Sequence, residues 1–127
     1  MSLADQLKLE EQIQSFELKI TSMTSSSDGV QVNATGTVQR YGKVFVTYNF
    51  SNNPAQENTG SFTGFGWGVT EDGVRNQAER RGVFVSNGLT GTVYSLDDMS
   101  DGNPNFCIEH WDLMKETISM QFSRVQA

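Results

Sequence analysis

From residue 15 onward the chain alternates apolar and polar side chains with a period of two. Phe16, Leu18 and Ile20 alternate with Glu17, Lys19 and Thr21. Val30, Val32, Ala34, Gly36 and Val38 alternate with Gln31, Asn33, Thr35 and Thr37. Val44, Val46, Tyr48 and Phe50 alternate with Phe45, Thr47 and Asn49, and Ile118, Met120 and Phe122 with Thr117, Ser119, Gln121 and Ser123. Successive side chains of a strand point to opposite faces, so each run reads as a strand with one buried face. Asp28-Gly29, Tyr41-Gly42, Asp72-Gly73, Asn87-Gly88 and Asp101-Gly102 punctuate the runs. Glycine supplies the positive φ that tight hairpins need, and Asp or Asn before it tolerates the same region.

These signals predict eight strands, over 15–25, 30–41, 43–51, 61–70, 74–86, 89–96, 105–113 and 116–125. Short connections favour sequential antiparallel neighbours. Closing such a meander removes its sticky edges, so the expected fold is all-β: an eight-stranded antiparallel meander closed into a small barrel. Residues 1–14 are expected to form an N-terminal helix, docked on the body or plugging one end, because 3–14 are rich in Ala, Leu, Gln, Glu and Lys with no Gly or Pro. Residues 15–127 then form a single barrel domain.

Two strands carry local irregularities. Gly64, Gly66 and Gly68 share one face of a strand whose other face holds Thr63, Phe65, Trp67 and Val69. Interior glycines mark sharp curvature, an aromatic ring lying over the backbone, or floor space for a ligand. In 74–86, Ala78 and Phe84 have one parity and Val83 and Val85 the other, which a bulge near Arg80-Arg81-Gly82 would reconcile.

Composition removes several functional classes. At 127 residues the chain can bury a core without disulfide or metal staples. A net charge of -6 argues against a binder of nucleic-acid backbones or of anionic membrane surfaces. One cysteine supports neither an internal disulfide nor a four-ligand zinc site. No stretch approaches a membrane span of about 18 apolar residues. The first residues lack both the basic start and the apolar run of a signal peptide, so the expected location is the cytoplasm, as for a bacterial-type protein.

Chemistry concentrates in two strands. Residues 74–82 place Arg75, Glu79, Arg80 and Arg81 together, and 106–112 place Glu109, His110 and Asp112 beside Cys107 and Trp111. Only one of Glu109 and His110 can face inward on a regular strand. An inward carboxylate or imidazole paired with Arg marks a binding or proton-transfer site when hydrogen-bonded; outward, the same residues form a salt-bridge ladder. Cys107 and His110 are three apart, on opposite faces, so they form no thiol–imidazole dyad, and Cys107 reads as core. The acidic run Asp97-Asp98-Met99-Ser100-Asp101-Gly102-Asn103 departs from a calcium loop at positions three and twelve and reads as a solvated hairpin loop.

Gly64-Phe65-Gly66-Trp67-Gly68-Val69-Thr70-Glu71-Asp72-Gly73 resembles the first RNA-binding motif of cold-shock domains, and Gly82-Val83-Phe84-Val85 the second. That resemblance implies aromatics stacking on single-stranded bases. Thr63 and Ser86 stand where the family has Lys and His, and the acidic charge has the opposite sign to the family's. As a whole, the eight-stranded meander resembles the allene-oxide-cyclase-like and calycin-like barrels, small bacterial proteins of unassigned function among them. That resemblance implies an apolar small molecule in the barrel cup, or isomerase chemistry there.

Three functions are compatible with these residues. A binding barrel would take a small apolar or partly anionic ligand against Tyr48, Trp67 and Tyr94, with Arg80 and Glu109 orienting its polar end. An isomerase or cyclase would use Glu109 or His110 to move a proton and Arg80 to hold an anion, with no cofactor and no metal. A packed barrel would act through its outer surface, as a homo-oligomer or on a protein partner.

Overall fold

A computed structural model describes residues 1–10 and 13–126. Eight strands follow one another: β1 (Gln14–Ser26), β2 (Gly29–Val38), β3 (Gly42–Asn52), β4 (Thr59–Val69), β5 (Arg75–Asn87), β6 (Thr90–Met99), β7 (Asn105–Asp112) and β8 (Thr117–Arg124). Each pairs antiparallel with the next, and β1 pairs with β8 through Leu18↔Ile118, so the sheet closes into a barrel. The turns lie where the Gly signals place them; Gly42, Gly73, Gly88 and Gly102 all have positive φ.

The interior is packed by setting large residues against glycine on the neighbouring strand. Leu18 lies opposite Gly36, Phe62 opposite Gly82, Phe84 opposite Gly60, and Trp111 opposite Gly91. A Cβ at Gly82 would strike the Tyr94 carbonyl and lie 2.8 Å from the Phe62 ring. Rings over backbone therefore account for Gly60 and Gly82. Gly64, Gly66 and Gly68 do face inward, as the alternation requires. Tyr48, Leu18, Ile118, Glu109, Val32 and Cys107 are fully buried and fill the middle of the barrel. A cavity remains toward each end. One, of about 70 Å³, lies among Val38, Tyr41, Val44 and Phe122; the other, of about 300 Å³, among Val30, Phe50, Phe84 and Leu113.

Two local expectations require correction. The helix spans only Leu3–Gln6, capped by reciprocal Ser2–Asp5 hydrogen bonds, and buries no residue. The chain then extends: Leu9 bridges Val125, the Glu10 amide donates to the Arg124 carbonyl (2.9 Å), and the Gln126 amide to that of Lys8. Pairing with the C-terminal strand outweighs the propensity of a segment too short to sustain a helix. Residues 11 and 12 of the expected helix lie outside the described residues. The bulge expected near Arg80-Arg81-Gly82 is absent; β5 keeps unbroken register with both neighbours, and Val83 and Val85 point outward, each about half exposed (54% and 52%). The register shift occurs instead in β1, between Ile20 and Ser22.

Candidate functional site

One row of inward positions crosses five strands: Tyr48 on β3 lies opposite Gly64, Gly64 opposite Arg80, Arg80 opposite Asp97, and Asp97 opposite Asn105. Strict alternation puts all five on the inner face. The missing side chain at Gly64 leaves the space between Tyr48 and Arg80, and the guanidinium carbon lies 5.2 Å from the Tyr48 ring centre.

Arg80 is 4% exposed and organises the interior. Its Nε donates to Asp97 Oδ2 (3.0 Å), and its Nη2 to Ser95 Oγ (3.0 Å) and Glu109 Oε2 (2.5 Å). Glu109 Oε1 accepts from Tyr48 Oη (2.7 Å) and Trp111 Nε1 (3.1 Å). Cys107 Sγ donates to Asp97 Oδ2 (3.2 Å). A buried ion pair survives when further hydrogen bonds support it; Tyr48 and Trp111 do so at Glu109 Oε1, and Ser95 at Arg80 Nη2. Burial, then the Glu109 charge, holds the Tyr48 hydroxyl protonated well above the usual tyrosine range. Burial, then Asp97, does the same to the Cys107 thiol. Burial alone would weaken the Arg80 charge, but Asp97 and Glu109 more than offset it and Arg80 stays a cation.

Three buried polar atoms of this neighbourhood have no partner among the described residues: Arg80 Nη1, Asp97 Oδ1 and Asn105 Oδ1. All three residues line the 70 Å³ cavity, whose remaining wall is largely apolar, including Val44, Val46, Met120 and Phe122. Buried polar groups are nearly always hydrogen-bonded, so three unpartnered polar atoms around one cavity point to a polar ligand group there.

The candidate residues divide between two faces. Glu109, Arg80 and Tyr48 meet inside. His110 follows Glu109 and therefore points outward, where it is exposed. Trp67 has the outward parity: its indole stacks on Phe45 (4.7 Å between ring centres) and under the Arg75 guanidinium (4.3 Å), while the residue still borders the 70 Å³ cavity between Gly66 and Gly68. Tyr94 is 39% exposed on the outer face opposite Val83 and Ile108. Parity decides both cases, since the inward neighbours of Trp67 are glycines and those of Tyr94 are Val93 and Ser95. Trp111 is the inner tryptophan.

Asp97 was hidden from the sequence by the acidic run, which reads as a loop from Asp97 onward; Asn105 opens an expected strand but carries no signal of its own. In fact β6 extends to Met99, and Asp97 continues the inward series Val93, Ser95. Asp97 is committed to Arg80 and is no loop ligand for calcium; among the described residues no group of three or more His, Cys, Asp or Glu is placed to hold a metal ion. In the segments resembling cold-shock motifs, Phe65 and Trp67 are outward, but Phe84 points inward and packs edge-on against Phe50. The second segment therefore offers no ring for stacking.

The fold and the site together define an eight-stranded, closed antiparallel barrel with a buried Arg–carboxylate centre, an architecture consistent with calycin-like barrels. Comparison with protein-family models, with curated proteins and with solved structures finds no match to this chain. Among the described residues no helix is long and apolar enough to cross a membrane.

Proposed function

We propose that the protein is a small-molecule-binding barrel, and that its ligand enters the cavity beside Arg80, Asp97 and Asn105. The observation that carries this reading is the set of three unpartnered buried polar atoms around one apolar cavity. Apolar walls with a few convergent polar groups are the usual make-up of a ligand site. A cavity of about 70 Å³ suits a small head group, with any bulkier part reaching toward the barrel mouth. Cytoplasmic location and kinship with the allene-oxide-cyclase-like and calycin-like barrels belong to the same reading. The isomerase alternative draws less support: Glu109 is fully buried with both oxygens engaged, and His110 is on the other side of the sheet wall.

Native mass spectrometry of the protein as purified, and again after denaturation, tests the proposal. Extra mass lost on denaturation is the expected result. An apo mass, together with no response of the cavity residues to any added small molecule, would overturn it.

One observation favours a second reading, in which copies of the chain associate. Val83, Val85, Tyr94 and Leu96 are exposed side by side on the outer face of β5 and β6. Exposed apolar clusters of this kind mark association surfaces. The subunit count in the same native spectrum decides it, a monomer at all concentrations counting against.

A further inference from the structure

We infer that the ligand's head group is a neutral primary carboxamide, held by Arg80, Asp97 and Asn105; this rests on the small-molecule reading of the same cavity. The unpartnered atoms are of unequal kind. Arg80 Nη1 is a donor in need of an acceptor, whereas Asp97 Oδ1 is an acceptor in need of a donor. The orientation of the Asn105 amide follows from its partner. Tyr41 Oη lies 3.2 Å from Asp101 Oδ2, to which it donates, so it accepts from Asn105 Nδ2, also at 3.2 Å. Asn105 Oδ1 is then the second unpartnered acceptor. The head group must offer one acceptor and two donors. A primary carboxamide does so: its carbonyl oxygen accepts from Arg80, and its two N–H bonds point at Asp97 and Asn105. A hydroxyl has a single hydrogen and leaves one acceptor unserved.

Charge and hydrogen-bond capacity together select for neutrality. The wall holds one guanidinium between two carboxylates, at 3.0 Å from Asp97 and 2.5 Å from Glu109, and so carries an excess negative charge. A carboxylate head would add a third buried negative charge, desolvated without a counter-ion of its own. An ammonium would balance the excess but has only donors and leaves Arg80 Nη1 without an acceptor. The three groups lie on adjacent strands β5, β6 and β7 with Asp97 in the middle, so each neighbour is one inter-strand step of about 4.8 Å away. Gly66 supplies the remaining room: a Cβ there would meet only ordinary contacts, at 3.7 Å from Val46 and 3.9 Å from Arg80 Cδ.

The test uses four probes of matched shape, isobutyramide, isobutyrate, isobutylamine and isobutanol, titrated against the ¹⁵N-labelled full chain. Affinities are read from amide shifts of Ala78, Asp97 and Asn105. The expected result is isobutyramide binding at least tenfold more tightly than each of the other three. A Gly66→Leu variant that retains the wild-type circular dichroism spectrum, its side chain occupying the cavity, should lose that response. If isobutyrate, isobutylamine or isobutanol binds as well as the amide in wild type and loses its response in the variant, the carboxamide inference is wrong and the site stands. If none of the probes shifts these amides, or the shifts persist in the variant, the cavity holds water alone and both readings fall.

Discussion

Tyr48 and Glu109 stand 61 residues apart in the chain and meet through a 2.7 Å hydrogen bond in the barrel interior. Among the described residues the tyrosine is the only hydroxyl that Glu109 Oε1 receives; its other partner is the Trp111 indole. Tyr48→Phe should therefore leave a buried carboxylate oxygen under-satisfied and cost about 1–3 kcal/mol. Urea unfolding measures this as a lowered midpoint with an unchanged slope. An unchanged midpoint would mean that the bond contributes nothing net.

Arg80 is the cation shared by two buried carboxylates. Arg80→Met removes the cation and leaves both charges, so we expect a loss of about 3–5 kcal/mol at neutral pH. Adding Asp97→Asn and Glu109→Gln to that variant removes the stranded charges and should recover part of the loss. A triple variant less stable than Arg80→Met would show that charge is not the cause.

Gly66 and Gly82 both face inward, yet their surroundings differ. Gly66→Ala meets only ordinary contacts and should shift stability by less than about 1 kcal/mol, in either direction. Gly82→Ala drives a methyl into the Tyr94 carbonyl and the Phe62 ring and should cost about 1–3 kcal/mol or more. Thermal or urea unfolding of the pair checks the contrast; equal effects would contradict it.

Cys107 is buried, and burial together with Asp97 raises its thiol well above the ordinary range. The thiolate is the reactive form, so a thiol reagent should label Cys107 at the rate of unfolding and not before. Rapid stoichiometric labelling of the native protein at neutral pH would refute this.

Glu10 ties the N-terminal segment to the barrel, accepting from Arg40 Nη1 (2.9 Å) and from the Arg124 amide (3.0 Å). The Arg40 hydrogen bond, then that of Arg124, lowers its carboxyl below the ordinary 4.5. A carboxyl lowered in the folded state contributes stability that is present above its ordinary value and is lost as pH falls through the folded one. Hydrogen exchange at the Arg124 and Gln126 amides should thus accelerate relative to the barrel amides below pH 4.5. Both partners are partly solvent-exposed, so Glu10→Gln should cost only about 0.5–1 kcal/mol. Exchange that stays uniform on acidification would sever the link.

The barrel was legible because its signals are local. Alternation along each strand and a glycine at five of the seven hairpins specify eight segments, and short connections leave sequential pairing as the simplest arrangement. The same alternation showed that Glu109 and His110 must divide between two faces, and that Cys107 and His110 cannot meet. What alternation leaves open is which parity faces inward when both are mixed. In β5 the valines at 83 and 85 suggest one answer and Arg80 another; the unbroken register with β4 and β6 decided for Arg80. Burying an arginine is favourable only because Asp97 and Glu109 arrive from β6 and β7, and no local window contains that fact.

Trp67 and Tyr94 illustrate the same limit. Large aromatic residues read as wall, but Gly64, Gly66 and Gly68 take the inner face of β4 so that Tyr48 and Arg80 fit against it, and Trp67 is left outside with Phe45 and Arg75. At the N-terminus, helix-forming composition lost to hydrogen bonds with a strand more than a hundred residues away. The sequence by itself determined the strands, the hairpins and the closed meander, because those depend on periodicity and on backbone freedom at single positions. Only the tertiary structure decided the shared cavity of Arg80, Asp97 and Asn105, because a buried charge is placed by its partners and those partners meet only once the sheet has formed.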